Sequence, residues 1–140
     1  MVLRRNRRNT RFSRMTPPYE RFEAWKACHQ LVLATYRATA RFPDAERYGL
    51  TSQARRAAFS AAANIVEGCA RRGSKEFRRF LDISMGSLYE VEYIIRLSRE
   101  LGMLDETEAN RLAGLHTQAS RLTWKLYASM TRRSTNPPAA

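Results

Sequence analysis

Few side chains of this 140-residue sequence have the types and spacing that catalysis or metal binding requires. His29 and His116 are its two histidines, and neither belongs to a Glu-x-x-His or His-x-x-x-His pattern. A di-metal centre among helices needs inward-facing Glu-x-x-His pairs. Glu90 and Glu92 are two residues apart, so they diverge around a helix. We therefore predict that the chain has no metal site and no cofactor.

Potential nucleophiles are present, but the groups that would activate them are not recognisable. Cys28 and Cys69 have no CxxC or CxxH spacing and no ordered base beside them, as is typical of reduced thiols in a cytosol. No run of about 18 apolar residues predicts a membrane span, and the N-terminus lacks the apolar segment of a secretory signal. We expect a cytoplasmic protein that is not an enzyme and has no membrane partner.

Three polar residues on an alanine-rich segment form a first candidate site: Gln53, Asn64 and Glu67. Asn64 and Glu67 are three residues apart and share one side of a helix. A buried carboxylate needs a partner, which Arg55, Arg56 or an arginine of another helix would supply. We interpret the set as a structural polar network that fixes helix register or a subunit interface, rather than as a reactive site.

A basic cluster forms a second candidate site. Three of its members surround a turn that precedes a helix N-terminus, where free N–H groups attract anions. Two interpretations are open: a surface that binds the phosphates of nucleic acid, or a solvated face that Glu76 and Asp82 partly neutralise. No base-reading motif and no aromatic pattern typical of RNA binding accompanies the charge. The predicted nucleic-acid-binding residues are Arg55, Arg56, Arg71, Arg72, Lys75, Arg78 and Arg79.

The net charge of +12 is shared equally between a short N-terminal segment and the rest of the chain. Residues 1–18 contain six arginines and no acid, so we predict a disordered basic arm. This arm is a nucleic-acid-binding or anion-binding element, a solvated extension, or an artefact if Met15 is the true start. Arginine greatly outnumbers lysine, which suits bidentate phosphate contacts, but a GC-rich genome produces the same bias.

Helical periodicity from Tyr19 onward, with short links and no strand pattern, predicts an all-α fold. We expect an antiparallel up-down four-helix bundle over residues 19–130 and a disordered tail over residues 131–140. Ser74 is the expected N-cap of the third helix. Gly102 is expected to end that helix, and an Asp105-containing capping box to begin the fourth. The predicted helices span about 19–42, 50–70, 75–101 and 106–130.

The spacing of apolar residues also predicts which helix faces are buried. The second helix is expected to bury small residues, which let neighbouring backbones approach closely. Its predicted inner face is Leu50, Ala54, Ala57 or Ala58, Ala61, Ile65 and Gly68. In the first helix, bulky residues recur at steps of three and four and are predicted to share one face: Phe22, Trp25, His29, Val32 and Tyr36.

Several short motifs occur together in this order: FEAWK at 22–26, YGLTSQ at 48–53, RRA at 55–57, ANIVEG at 63–68, SKEF at 74–77, RFL at 79–81 and GS at 86–87. With these motifs the chain resembles the four-helix-bundle proteins encoded in intervening sequences of bacterial 23S rRNA genes. That family is itself similar to the accessory variability determinant of diversity-generating retroelements.

The resemblance implies an antiparallel bundle that assembles as a homopentamer and has no known catalytic activity. For the retroelement branch it implies a basic, barrel-shaped pentamer that binds nucleic acid and a reverse transcriptase. Two features depart from the family pattern. Ala62 stands where the family commonly has proline, and the loss of that kink is expected to straighten the second helix. The arginine-rich segment before Tyr19 is not part of the pattern.

Two functions remain open at this point. The first is a non-enzymatic, oligomeric protein that binds structured RNA or an RNA–DNA hybrid through phosphate contacts. The alternative is a protein-interaction scaffold or accessory subunit, for example of a reverse transcriptase, without direct nucleic-acid binding. Phe59 and Tyr89 lie off the main apolar stripes and are predicted to line a subunit contact.

Overall fold

The computed structural model describes residues 16–135, and over this range the fold is all-α, with four helices and no strand. Each helix packs against two others: α1 contacts α2 and α4, and α3 contacts α2 and α4. In this part of the chain, no helix is both long enough and apolar enough to cross a bilayer. The helices are α1 (Glu23–Thr39), α2 (Leu50–Cys69), α3 (Ser74–Glu100) and α4 (Glu106–Thr135).

The ends of α1 and α4 differ from the sequence-based expectation. Pro18–Arg21 form a separate 3-10 turn, and the extended backbone of Phe22 separates this turn from α1. At the other end, α4 continues to Thr135, into the segment 131–140 that was expected to be disordered. The remaining arm and tail positions, 1–15 and 136–140, lie outside the described residues.

The core is built on the close approach of α2 and α3. Gly68 lies against Phe77 and Phe80, and Ser84 of α3 donates a hydrogen bond of 2.6 Å to the main-chain carbonyl of Ala61 in α2. Small side chains permit such a contact, because nothing larger separates the two backbones. The predicted inner face of α2 is confirmed except for Leu50, which is half-buried. The buried residues of α2 are Ala54, Ala57, Ala58, Ala61, Ala62, Ile65 and Gly68.

The face on which the bulky residues of α1 recur is not the buried face of the helix. Its bulky residues Phe22, Trp25, His29 and Val32 are only half-buried, and Tyr36 is 45% exposed. Trp25 stacks on His29 with ring centroids 4.9 Å apart, which makes an outer aromatic layer rather than a core. Mostly small residues take the inner positions, because α1 also packs on the alanine-rich face of α2. The buried residues of α1 are Ala24, Cys28, Leu31, Ala34, Thr35, Ala38 and Thr39.

Three helix ends show how local chemistry sets the boundaries. Gly73, at a φ of +83°, precedes α3, and Ser74 lies inside the helix rather than capping it as predicted. Asp105 caps α4 as expected, because its carboxylate accepts a 2.8 Å hydrogen bond from the Glu108 N–H. Gly102, at a φ of +74°, ends α3, which confirms its predicted role.

Replacing Gly68 with alanine tests the close approach of α2 and α3. The new Cβ would lie 2.8 Å from Phe80 Cβ and 3.0 Å from Phe77 Cδ1. We therefore expect Gly68→Ala to lower the free energy of unfolding by about 1–3 kcal/mol. The measurement is urea unfolding followed by circular dichroism, at one fixed protein concentration because assembly would affect the transition.

The matched control is Gly86→Ala, which changes another helical glycine. A Cβ at Gly86 would meet nothing within 4 Å. Its alanine variant is expected to be more stable than the starting protein by about 0.5–1 kcal/mol, because alanine loses less backbone freedom on folding. Equal stability of the two variants would contradict the tight packing at Gly68.

Candidate nucleic-acid interface

Five of the seven predicted phosphate-binding residues lie at the turn between α2 and α3 and on the first turns of α3. We call this region the turn surface, and its residues are Arg71, Arg72, Lys75, Arg78 and Arg79. Arg71, Arg72, Lys75 and Arg79 are exposed, and Arg78 is half-buried. Among the described residues, no ion pair involves Arg72, Lys75 or Arg78. Three positive charges of the turn surface are therefore not neutralised by a direct partner.

The other two arginines of the turn surface are held in place by a buried aromatic ring. The guanidinium carbons of Arg71 and Arg79 lie 5.2 and 5.1 Å from the centroid of Phe80. Arg71 also pairs with Glu67 at 2.9 Å, and Arg79 pairs with Glu76 at 3.2 Å. Cation–π contact and ion pairing together restrict these side chains, so both arginines are positioned and partly neutralised.

A cleft of about 510 Å³ opens beside the turn surface. Arg21 and Arg71 lie in its wall together with Gly73 and Ser74, and no acidic residue lines it. No side chain caps the N-terminus of α3 here, so the first N–H groups of the helix remain available to an anion. Arg21 could not be recognised from the sequence as part of this cleft, because it lies some 50 positions before Arg71 in the chain.

Arg55 and Arg56 lie far from the turn surface. The rise of a helix places Arg55 more than about 20 Å from the end of α2. Arg55 donates a 2.9 Å hydrogen bond from Nε to Thr39 Oγ1, and its guanidinium covers the ring of Tyr36 at 4.6 Å. It therefore joins α2 to the end of α1. Arg56 is exposed. The seven predicted residues thus occupy two separate surfaces.

The structure places the three residues of the predicted polar network apart. Asn64 donates hydrogen bonds to the carbonyl and the hydroxyl of Ser60, at 2.8 and 3.0 Å. Ser60 is in turn joined to Ser87 of α3 at 2.8 Å, so this network does connect two helices. Glu67 is exposed and pairs with Arg71 instead, and Gln53 is exposed. Neither serine could be recognised from the sequence, because serine is common in helices and does not by itself indicate a hydrogen-bond network between them.

The sequence model of one protein family, described as the 23S rRNA-intervening sequence protein, matches residues 20–125. The chain belongs to this family. The match contains α1, α2, α3, most of α4 and every residue of the turn surface. It confirms the resemblance that the short motifs indicated. No curated protein sequence matches the chain significantly.

A second exposed feature of this intervening-sequence family member is an aromatic face on α3 and α4, consisting of Tyr89, Tyr93 and Trp124. These side chains are 74%, 63% and 59% exposed. Two adjoining grooves of about 400 and 480 Å³ lie between them and His116. His116 is anchored by Nε2, which lies 2.7 Å from the Leu88 carbonyl and therefore carries a proton that it donates.

The thiols of this family member are poorly suited to nucleophilic chemistry. Burial raises the pKa of Cys28 to about 11, against a weaker opposing effect of its contact with Thr123. Burial also raises the pKa of Cys69, although the charge of Arg21 opposes the shift. The thiolate is the nucleophilic form, and a raised pKa reduces its population at neutral pH. Among the described residues, no three His, Cys, Asp or Glu side chains are grouped to hold a metal.

Thiol labelling tests this assignment. At pH 8 we expect the half-buried Cys69 to react slowly with an aromatic disulfide reagent and Cys28 not to react until the protein unfolds. Cys69→Ser is the control and should remove the reaction seen in the native state. Rapid labelling of both cysteines in the folded protein would contradict the structure.

Proposed function

We propose that this protein is a non-enzymatic, oligomeric nucleic-acid-binding protein that contacts the phosphates of structured RNA or of an RNA–DNA hybrid. The observation that carries the proposal is the turn surface, where Arg72, Lys75 and Arg78 have no ion-pair partner among the described residues. Lysine and arginine side chains bind nucleic acid mainly by neutralising phosphates and releasing counterions. We also propose a cytoplasmic location, consistent with the two free cysteines.

The turn surface suits recognition of backbone shape better than recognition of base sequence. Its cations lie on a turn and on one helical end, beside a cleft that offers N–H groups and guanidinium groups. These are ligands for phosphate oxygens. Affinity that depends strongly on salt and weakly on sequence follows from this chemistry.

We infer further that the helices form an antiparallel up-down bundle. Contacts between α2 and α3 pair Gly68 with Phe77, and Ser60 with Ser87. The contact nearer the start of α2 is therefore the one nearer the end of α3, as expected for two helices that run in opposite directions. The ion pair between Arg41 and Glu108 likewise joins the end of α1 to the start of α4.

We propose that the aromatic face of Tyr89, Tyr93 and Trp124 is the contact between subunits of a homopentamer. Large apolar side chains exposed together are typical of interaction surfaces. A ring of identical subunits would repeat the turn surface five times, which multiplies its field and its avidity for a long polyanion. Phe59, the other predicted contact residue, is 61% exposed and lies elsewhere, on α2.

The alternative function is a scaffold or accessory subunit, for example of a reverse transcriptase, without direct nucleic-acid binding. The observation that favours it is the same aromatic face, which a different protein could cover. The two functions differ in salt dependence, because only phosphate binding predicts a steep linear fall of log affinity with log salt.

Removing the unpaired charges tests phosphate binding at the turn surface. We expect the triple variant Arg72→Ala, Lys75→Ala, Arg78→Ala to bind a structured RNA at least tenfold more weakly. The slope of log affinity against log salt should become shallower by about 2–3, since each phosphate contact contributes close to one unit. Arg71 is retained because it also packs on Phe80. The measurement is fluorescence anisotropy of labelled RNA over a salt series.

The matched control removes three positive charges at the other end of the helices: Arg37→Ala, Arg99→Ala, Arg111→Ala. These three arginines are exposed and have no ion-pair partner among the described residues. Light scattering on both variants checks that assembly is unchanged. If the two variants weaken binding equally, the effect is one of net charge and the turn surface is not the site.

The subunit contact is tested with Tyr89→Asp combined with Tyr93→Asp. Burying two carboxylates in an apolar contact is unfavourable, so we expect this variant to change from five times the 16.2 kDa chain mass to the monomer mass in light scattering. Ile83→Asp alters an exposed apolar residue of α3 outside the aromatic face and should keep the oligomer. A double variant that retains the full mass would contradict the proposed contact.

A further inference from the structure

A second cationic pocket lies at the opposite end of α2 from the turn surface. It has a volume of about 400 Å³ and is formed by the end of α1, the loop before α2 and the first half of α2. Arginines and aromatic rings line it together, and we call it the arginine–aromatic pocket. Its principal lining residues are Tyr36, Arg47, Tyr48, Arg55, Arg56 and Phe59.

The charge of the pocket is positive and largely uncompensated. Among the described residues, Arg47, Arg55 and Arg56 take part in no ion pair. The nearby carboxylate of Glu46 does not line the pocket and accepts a hydrogen bond from the Leu50 N–H at 2.9 Å. Arg55 is fixed by its bond to Thr39, so its positive charge is held beside the pocket without rearrangement.

Two of the three aromatic rings of the pocket are largely open to solvent, and Arg55 covers the third, that of Tyr36. Tyr48 is 87% exposed and Phe59 is 61% exposed. Arg47 lies over Tyr48 at 5.6 Å. In the described part of the chain, Phe59 has no stacking partner, either aromatic or cationic. Open ring faces beside unpaired guanidinium groups match the two parts of a nucleotide, because a base stacks on a ring and a phosphate pairs with arginine.

We propose that the arginine–aromatic pocket binds unpaired nucleotides of a single-stranded segment. A base would stack on Phe59 or Tyr48, and the adjoining phosphates would pair with Arg47 and Arg56. Bases inside a duplex are not accessible to side-chain stacking, so the pocket selects single strands, loops or bulges. The inference deepens the proposed function and rests on it: the turn surface would hold the phosphates of a paired region and the pocket an adjacent unpaired one.

Competing occupants of the pocket are an acidic protein and a second copy of this chain. The aromatic face of another copy carries Glu92 beside Tyr89, which offers one carboxylate to the arginines. An acidic partner would satisfy the arginines but would make no specific use of two open ring faces. Stacked bases use both features of the pocket, and this favours the nucleotide.

The test compares aromatic-removing with aromatic-retaining variants of the full chain. The double variant Tyr48→Leu, Phe59→Leu keeps apolar side chains at both positions but removes both rings. The double variant Tyr48→Phe, Phe59→Trp keeps an aromatic ring at both positions. The probes are a labelled single-stranded RNA of mixed sequence and a blunt RNA duplex of equal charge. We expect the leucine variant to bind the single strand at least tenfold more weakly and the duplex within twofold of the starting protein. The aromatic-retaining variant should bind both probes normally.

Other outcomes overturn the proposal in distinguishable ways. If the leucine variant binds the single strand normally while the starting protein binds the duplex in a salt-dependent manner, the pocket is not a nucleotide site. The proposed phosphate binding is then still supported. A lower oligomer mass of the leucine variant in light scattering would make the pocket a subunit contact instead. If the starting protein binds neither probe at low salt, both the pocket and the proposed function fail.

Discussion

The close approach of α2 to α3 is the constraint on which the rest of the structure depends. Gly68 lies against Phe77 and Phe80, and Ser84 bonds directly to the Ala61 carbonyl. Because Phe80 is fixed by this packing, it provides the ring on which Arg71 and Arg79 lie. The positions of these two guanidinium groups on the turn surface are therefore a consequence of small residues in the core. Dense packing of this kind tolerates little change in volume on either helix.

The structure also divides the positive charge into two environments. On the turn surface, Arg71 pairs with Glu67, and Arg79 pairs with Glu76. Such exposed ion pairs contribute little to stability. The remaining cations there lack direct partners. In the arginine–aromatic pocket, by contrast, rings accompany the guanidinium groups. The sequence suggested one basic cluster without aromatic residues, because Tyr36, Arg47 and Tyr48 approach Arg55 only when the end of α1 packs on α2.

Helix number and most helix bounds were predictable, since the period of apolar residues and residues such as Gly102 and Asp105 act locally. The inner face of α2 was predictable for the same reason. The face of α1 was not, because bulky residues dominate a periodicity argument while the alanine-rich partner requires small residues at the contact. The link between Asn64, Ser60 and Ser87 depends on helix pairing, and the opening of α3 depends on the backbone of Gly73 rather than on Ser74. The serine link arises only from tertiary structure, whereas the start of α3 is decided locally, between two adjacent residues that can each precede a helix.

Two cationic sites lie at opposite ends of α2, which is one continuous helix. The length of α2 therefore sets the distance between them. Each residue inserted into or deleted from α2 would change the separation of the sites by about 1.5 Å and rotate one against the other by about 100°. A single insertion would thus alter both the reach and the relative direction of the two sites while leaving every arginine in place. If both sites bind nucleic acid as we propose, the length of Leu50–Cys69 determines which nucleic-acid shapes engage the two sites at once.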